Sequence, residues 1–146
     1  TQRGNDLEPL AFKRFKEIKE LEFIDVEETG FHSYCENSGA SPDGLVSDNS
    51  ILEIKCPKRD KFFKIVANGI DEVDSVYISQ MQMQMMSTNT EKAYFFIFLI
   101  EEGVEYWHTL IIQRDDVMID LIKERIAKAV IIRDKFIEKI KNNAQF

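Results

Sequence analysis

Apolar residues recur at helical spacing over residues 6–21. Leu7, Leu10, Ala11, Phe15, Ile18 and Leu21 fall on one face, with charged residues between them. Asp6 stands where a capping side chain would accept the first free amides. Two short stretches, residues 22–27 and 31–36, read as strands separated by Thr29 and Gly30. Residues 40–57 read as a hairpin. Its arms are Leu45 with Val46 and residues 51–55, and Ser47, Asp48, Asn49 and Ser50 supply the turn chemistry. Pro57 ends the second arm, because proline cannot donate to a sheet ladder. Helices are expected over residues 58–68, closed by Gly69, and over residues 74–87. Strands over residues 93–100 and 106–112 form another hairpin, turning at Glu101, Glu102 and Gly103. A long amphipathic helix fills residues 115–141 and either covers the sheet or supplies a subunit contact. The pattern predicts an α/β fold, a mixed central sheet flanked by helices, in a single domain over residues 1–146.

Composition narrows the function without naming it. The apolar run at residues 93–100 is too short to span a bilayer, and the first six residues lack the apolar core of a signal peptide. A soluble protein of the cytoplasm is expected, with no membrane partner. Cys35 and Cys56 are too few for a four-thiolate zinc or iron–sulfur site and read as reduced, buried small hydrophobes. His32 and His108 stand in no metal-ligand spacing. A net charge of -7 argues against coating nucleic acid by bulk electrostatics. It leaves room for a local basic surface, and Lys55, Lys58, Arg59, Lys61 and Lys64 form one, opposed by Glu53 and Asp60. That cluster suits a solvated helix start as well as a phosphate-contacting patch.

The chemically informative stretch is Ser41, Pro42, Asp43 and Gly44, followed by Glu53, Ile54 and Lys55. Side chains alternate across a strand, so Glu53 and Lys55 share a face while Ile54 turns to the core. The hairpin brings Asp43 toward Glu53, so that two carboxylates and a lysine converge. Such a set suits phosphodiester hydrolysis: hard oxygen donors hold Mg²⁺ or Mn²⁺, and a lysine orients the attacking water or stabilises developing charge. The same residues also suit a salt-bridged structural hairpin, where an exposed pair contributes roughly 0–1 kcal/mol. On the residues alone both readings stand, although an unpaired carboxylate and lysine are costly to bury in so apolar a strand.

The wording of the sequence adds to its pattern. Residues 39–45 (GASPDGL) and 52–56 (LEIKC) with Pro57 resemble the phage lambda exonuclease family, the YqaJ-like viral recombination nucleases of the PD-(D/E)xK superfamily. Arg3, Gly4 and Asn5 with Glu8 and Ala11 resemble its opening helix motif, and residues 77–82 (YISQMQ) resemble a later helix. The resemblance implies a restriction-endonuclease-like core and a Mg²⁺- or Mn²⁺-dependent exonuclease. That enzyme would digest one strand of linear double-stranded DNA 5′→3′, leaving 3′ overhangs for phage-type recombination. It further implies a homotrimer, a single-strand annealing protein as partner, and a phage or prophage origin in a bacterial host. By position, Asp43, Glu53, the Ile54 carbonyl and Glu8 would serve the metal, Lys55 the attacking water, and Ser41 and Gln80 the phosphate. Family members carry a helical segment upstream of the Arg-Gly motif, and the chain is expected to lack it.

Two rivals remain to be separated. One is another nuclease on the same core, such as a restriction-type endonuclease, a junction resolvase or a cluster-bearing nuclease; the last needs four cysteines. The other is a non-catalytic binding or assembly protein that keeps the fold. Of Gln80, Gln82 and Gln84, which alternate with methionines, only Gln80 is expected to serve the site. Trp107 and Tyr106 read as core rather than as a base-stacking platform.

Overall fold

The computed structural model describes residues 2–29, 32–35 and 38–144; side chains at 2, 5, 32–35 and 38–40 lie outside the description. Cys35 and His32 are among these, as are Phe31 and Glu36 of the second predicted strand. The elements run α1 (Gln2–Glu20), β1 (Val26–Glu27), β2 (His32–Cys35), β3 (Ser38–Ala40), β4 (Gly44–Val46), β5 (Ser50–Lys55) and α2 (Arg59–Asn68). After a 3-10 turn (Gly69–Glu72) come α3 (Ser75–Thr88), β6 (Lys92–Glu101), β7 (Val104–Gln113) and α4 (Asp116–Asn143).

Residues 1–114 form one compact unit. Its five-stranded sheet has the order β1-β4-β5-β6-β7, and β2 pairs with β3 in a separate two-stranded sheet. β5 and β6 run parallel, joined by the α2–α3 crossover, while the other neighbours are antiparallel. The predicted mixed sheet is therefore present.

Burial on β6 shows how the sheet is held. Ala93, Phe95, Ile97 and Leu99 join Phe62, Ile65, Met81 and Met85 on one face. Tyr94, Phe96 and Phe98 join Ala11, Phe15, Leu52 and Ile54 on the other. A strand covered on both sides needs no polar alternation, which is why its sequence reads as one apolar run. Each fully buried large side chain there contributes about 1.5–3 kcal/mol.

The turns follow their chemistry. Val46 pairs with Ser50 across a three-residue loop, and Asn49 takes the left-handed conformation at φ 65°. Glu102 and Gly103 both have positive φ, the requirement of the tight turn that joins β6 to β7.

Some expectations are corrected. α1 begins four residues before the predicted start, so Asp6 lies inside the helix and does not cap it. The cause is tertiary: Arg3 donates to the carbonyls of Cys56 at 2.8 Å and Pro57 at 3.3 Å, pinning the first turn to the end of β5. Tyr106 and Trp107 are exposed, because β7 is an edge strand and covers less than it presents. Gln82 and Gln84 are buried together with Met81, Met83 and Met85, whereas Gln80 is exposed. No single face accounts for five successive buried residues. α3 lies against β5 and β6 and also against β2 and β3, so residues 81–85 are covered by both sheets, while Val76 and Gln80 stay exposed.

Residues 115–146 form the second unit, essentially α4. The Asp115 side chain caps it by accepting from the Met118 amide. Ile131, Ile132, Phe136, Ile137 and Ile140 are exposed along it. Among the described residues no helix is long and apolar enough to cross a membrane.

Candidate active site

Three elements meet at the C-terminal end of β5. Strand alternation places Glu53 beside Phe95 on the α3 side, while Ile54 packs with Phe96 on the α1 side. β4 begins only at Gly44, so Asp43 sits where the chain joins the β5 edge. Its amide donates to the Leu52 carbonyl at 2.9 Å, and its carboxylate accepts from the Ile54 amide at 2.6 Å. Gly44 permits the close approach. A Cβ there would stand 3.1 Å from the Glu27 carbonyl oxygen and 3.2 Å from the Phe12 ring, forcing β1 and α1 outward. α1 brings Glu8 to the same place, where it hydrogen-bonds the Asp43 carboxyl.

The electrostatics follow from this crowding. Burial, and then the negative charge of Glu53 and the hydrogen bond that the protonated carboxyl donates to Glu8, push Asp43 up to about 8, against the lowering effect of the Ile54 amide. Glu53 is also raised, first by burial; the Gln84 amide and the Lys55 ammonium oppose the shift. Lys55 Nζ lies 3.4 Å from Glu53 Oε1 and 4.4 Å from the centre of the Tyr77 ring. Gln84 Nε2 donates to Glu53 Oε2 at 2.9 Å. Reversing that amide would set two acceptors face to face, so Gln84 Oε1 is left buried without a protein partner. An unmade bond of that kind costs about 1–3 kcal/mol, which a glutamine serving only to fill space has no reason to bear. Burial, together with Glu8, raises the Cys56 thiol to about 11; Cys56 is a free thiol, but half-buried rather than buried as expected.

Two clefts flank the carboxylates. One, about 350 Å³, is lined by Glu8, Ile54, Lys55, Lys61, Tyr77 and Phe95. The other, about 390 Å³, is lined by Glu8, Ser41, Pro42, Asp43 and Ile54. The structure thus brings together Glu8, Asp43, Glu53, Ile54 and Lys55, with Ser41 exposed beside Asp43. Gln80 lies one turn before Gln84 on the same side of α3 and is exposed. Sequence reasoning missed Gln84. The available signal was its spacing of seven residues from Tyr77, two helical turns, which puts both on the face toward β5.

The donor set suits a hard cation. Three carboxylates crowd one point with a single close ammonium, and neither histidine nor thiolate is offered. Among the described residues, no group of three or more His, Cys, Asp or Glu side chains is arranged to hold a metal ion. The oxygens of Glu8, Asp43 and Glu53 would turn from their present bonds toward a common ion.

A profile of the YqaJ-like viral recombinase domain matches residues 1–91. The chain belongs to that family. This YqaJ-like chain is similar to a crystal structure of an alkaline exonuclease (LHK-Exo) from Laribacter hongkongensis, with 32% identity and a TM-score of 0.82. The match covers 97% of this chain and 72% of that one. The same exonuclease in complex with dAMP matches at a TM-score of 0.79, also with 32% identity, covering 97% and 71%. A phage related exonuclease from Haemophilus somnus 129PT shares the fold at a TM-score of 0.79, with 22% identity and coverage of 95% and 72%. No curated protein matches the sequence significantly. The YqaJ-like core is restriction-endonuclease-like, as the resemblance implied.

Proposed function

We propose that this YqaJ-like protein is a metal-dependent DNA exonuclease. It would act 5′→3′ on one strand of linear double-stranded DNA and leave 3′ overhangs for recombination. The observation that carries the reading is the meeting of Glu8, Asp43 and Glu53 with Lys55 at the end of β5. The similarity to the Laribacter exonuclease supports it. Glu8, Asp43, Glu53 and the Ile54 carbonyl would hold Mg²⁺ or Mn²⁺. When bound, the ion supplies charge stabilisation at the phosphate and a lowered pKa for water.

The chain's own groups do the rest. The Ile54 amide fixes the Asp43 carboxylate, and Gln84 fixes one oxygen of Glu53. Lys55 orients the attacking water or offsets the negative charge that builds on the phosphate. Ser41, which lines the cleft with Asp43, and Gln80, exposed one turn before Gln84 on α3, would contact the phosphate. The product would pass to a single-strand annealing protein in the host cytoplasm. A homotrimer fits the apolar residues exposed on α4 and the exposed Trp107 and Ile111 of β7.

The test is incubation of end-labelled linear duplex with Mg²⁺, beside covalently closed circular DNA. Mononucleotides released from the 5′ end, with circles untouched, are expected. Cleavage of circles would make the protein an endonuclease, and inertness on both would favour a binding role.

A further inference from the structure

Resting on the nuclease reading, a second observation concerns what holds the reactive pair in place. Glu53 and Lys55 lie two residues apart on β5, roughly 7 Å along the strand. Tyr77 and Gln84 lie two turns apart on α3, roughly 10 Å along the helix. The two pairs match in reverse order, Gln84 against Glu53 and Tyr77 against Lys55.

We propose that α3 is the positioning element of the site, with Tyr77 aiming the Lys55 ammonium and Gln84 aiming the Glu53 carboxylate. Neither touches the reacting atoms. The geometry divides the work. Glu53 Oε2 is taken by the Gln84 amide, which leaves Oε1 as the oxygen facing Lys55 at 3.4 Å. A neutral donor suits this place, because a cation there would compete with the metal for the carboxylate. Lys55 is a flexible side chain, about a third exposed, and the Tyr77 ring 4.4 Å from Nζ restricts where its ammonium can go. Phe95 lies against Tyr77 with ring centres 6.5 Å apart, and Phe95 is the partner of Glu53 across the β5–β6 ladder. The ring is therefore fixed to the same part of the sheet that carries the carboxylate. Gln84 is wholly buried and leaves its own carbonyl oxygen unpaired, which favours orientation over packing as its purpose.

The experiment uses the full chain and separates orientation from folding. Mn²⁺ affinity is measured by calorimetry without DNA, and kcat and KM are measured on linear duplex. Loss of an outer partner of a metal ligand costs on the order of 10–100-fold. Gln84→Met is expected to weaken Mn²⁺ binding about tenfold or more. Tyr77→Phe keeps the ring and stays within about twofold of the parent. Tyr77→Leu lowers kcat about tenfold, a loss of about 1.4 kcal/mol in transition-state stabilisation, with KM and Mn²⁺ affinity unchanged. The upfield shift of the Lys55 methylene protons, a ring-current signature, persists in Tyr77→Phe and vanishes in Tyr77→Leu. Fluorinated phenylalanines placed at position 77 keep the shape and weaken the ring's negative face, so kcat falls stepwise with fluorination even if the leucine variant does not fold. Parent-like Mn²⁺ binding in Gln84→Met, or a kcat indifferent to fluorination, overturns the proposal while the nuclease reading stands. A parent chain that neither binds Mn²⁺ nor cleaves DNA overturns both.

Discussion

Asp43 is the residue on which competing forces are most evenly set. The Ile54 amide favours its charged form, while burial, Glu53 and Glu8 oppose it and hold it near 8. An unfolded aspartate titrates near 3.9. The folded metal-free chain therefore binds this proton more tightly, and its advantage is whole below about pH 4. That advantage is lost as pH rises through the window up to about 8. Asp43→Asn keeps an acceptor for Ile54 and a donor for Glu8 but removes the charge. In chelator at pH 8 it should exceed the parent in stability by on the order of 1 kcal/mol, yet gain nothing from added Mg²⁺. Thermal unfolding at pH 5 and pH 8, with and without Mg²⁺, checks this. A variant less stable than the parent at pH 8 would mean that the carboxylate is a structural anchor. Glu53→Gln should likewise abolish Mg²⁺-dependent degradation while the domain stays folded. Lys55→Ala is expected to slow hydrolysis about 10²-fold or more with metal affinity largely kept. Calorimetry showing that metal binding vanished with the lysine would assign Lys55 to structure instead.

Among the elements, the β4–β5 hairpin sets the site's geometry, and Gly44 sets how near α1 comes. Gly44→Ala should cost about 1 kcal/mol and lower activity by moving Glu8 from Asp43. Denaturant titration and rate measurements on one preparation test both effects, and unchanged values would show that β1 and α1 give way freely. This hairpin was the most legible part of the chain, because period-two alternation, turn residues and Pro57 are all local signals. β6 was legible as one apolar run, and α2 by the glycine that closes it. What escaped depends on contacts distant in sequence. Nothing around Arg3 announces that its guanidinium will reach Cys56 and Pro57 and extend α1. A glutamine on a helix looks alike whether solvated or buried, and only the packing of residues 81–85 against both sheets sets Gln84 apart. Trp107 and Tyr106 misled in the opposite way: aromatic residues suit a core, but the edge position of β7 was not readable from its own sequence.

For the molecule as a whole, a chain of net charge -7 must meet a polyanion through a small favourable region. The acidic residues are partly gathered where a cation would neutralise them, and Lys55 and Lys61 line the adjoining cleft. The exposed apolar residues of α4 bear on assembly. The parent chain, 17.1 kDa, is expected to sediment as an oligomer near three times that mass, and Ile132→Glu with Phe136→Glu should dissociate it. A monomer before and after substitution would remove α4 from that role. The most direct test of the central claim is anomalous diffraction from a crystal soaked in Mn²⁺. A peak within ligand distance of Glu8, Asp43 and Glu53 is predicted; carboxylates turned apart, with no ion among them, would contradict it.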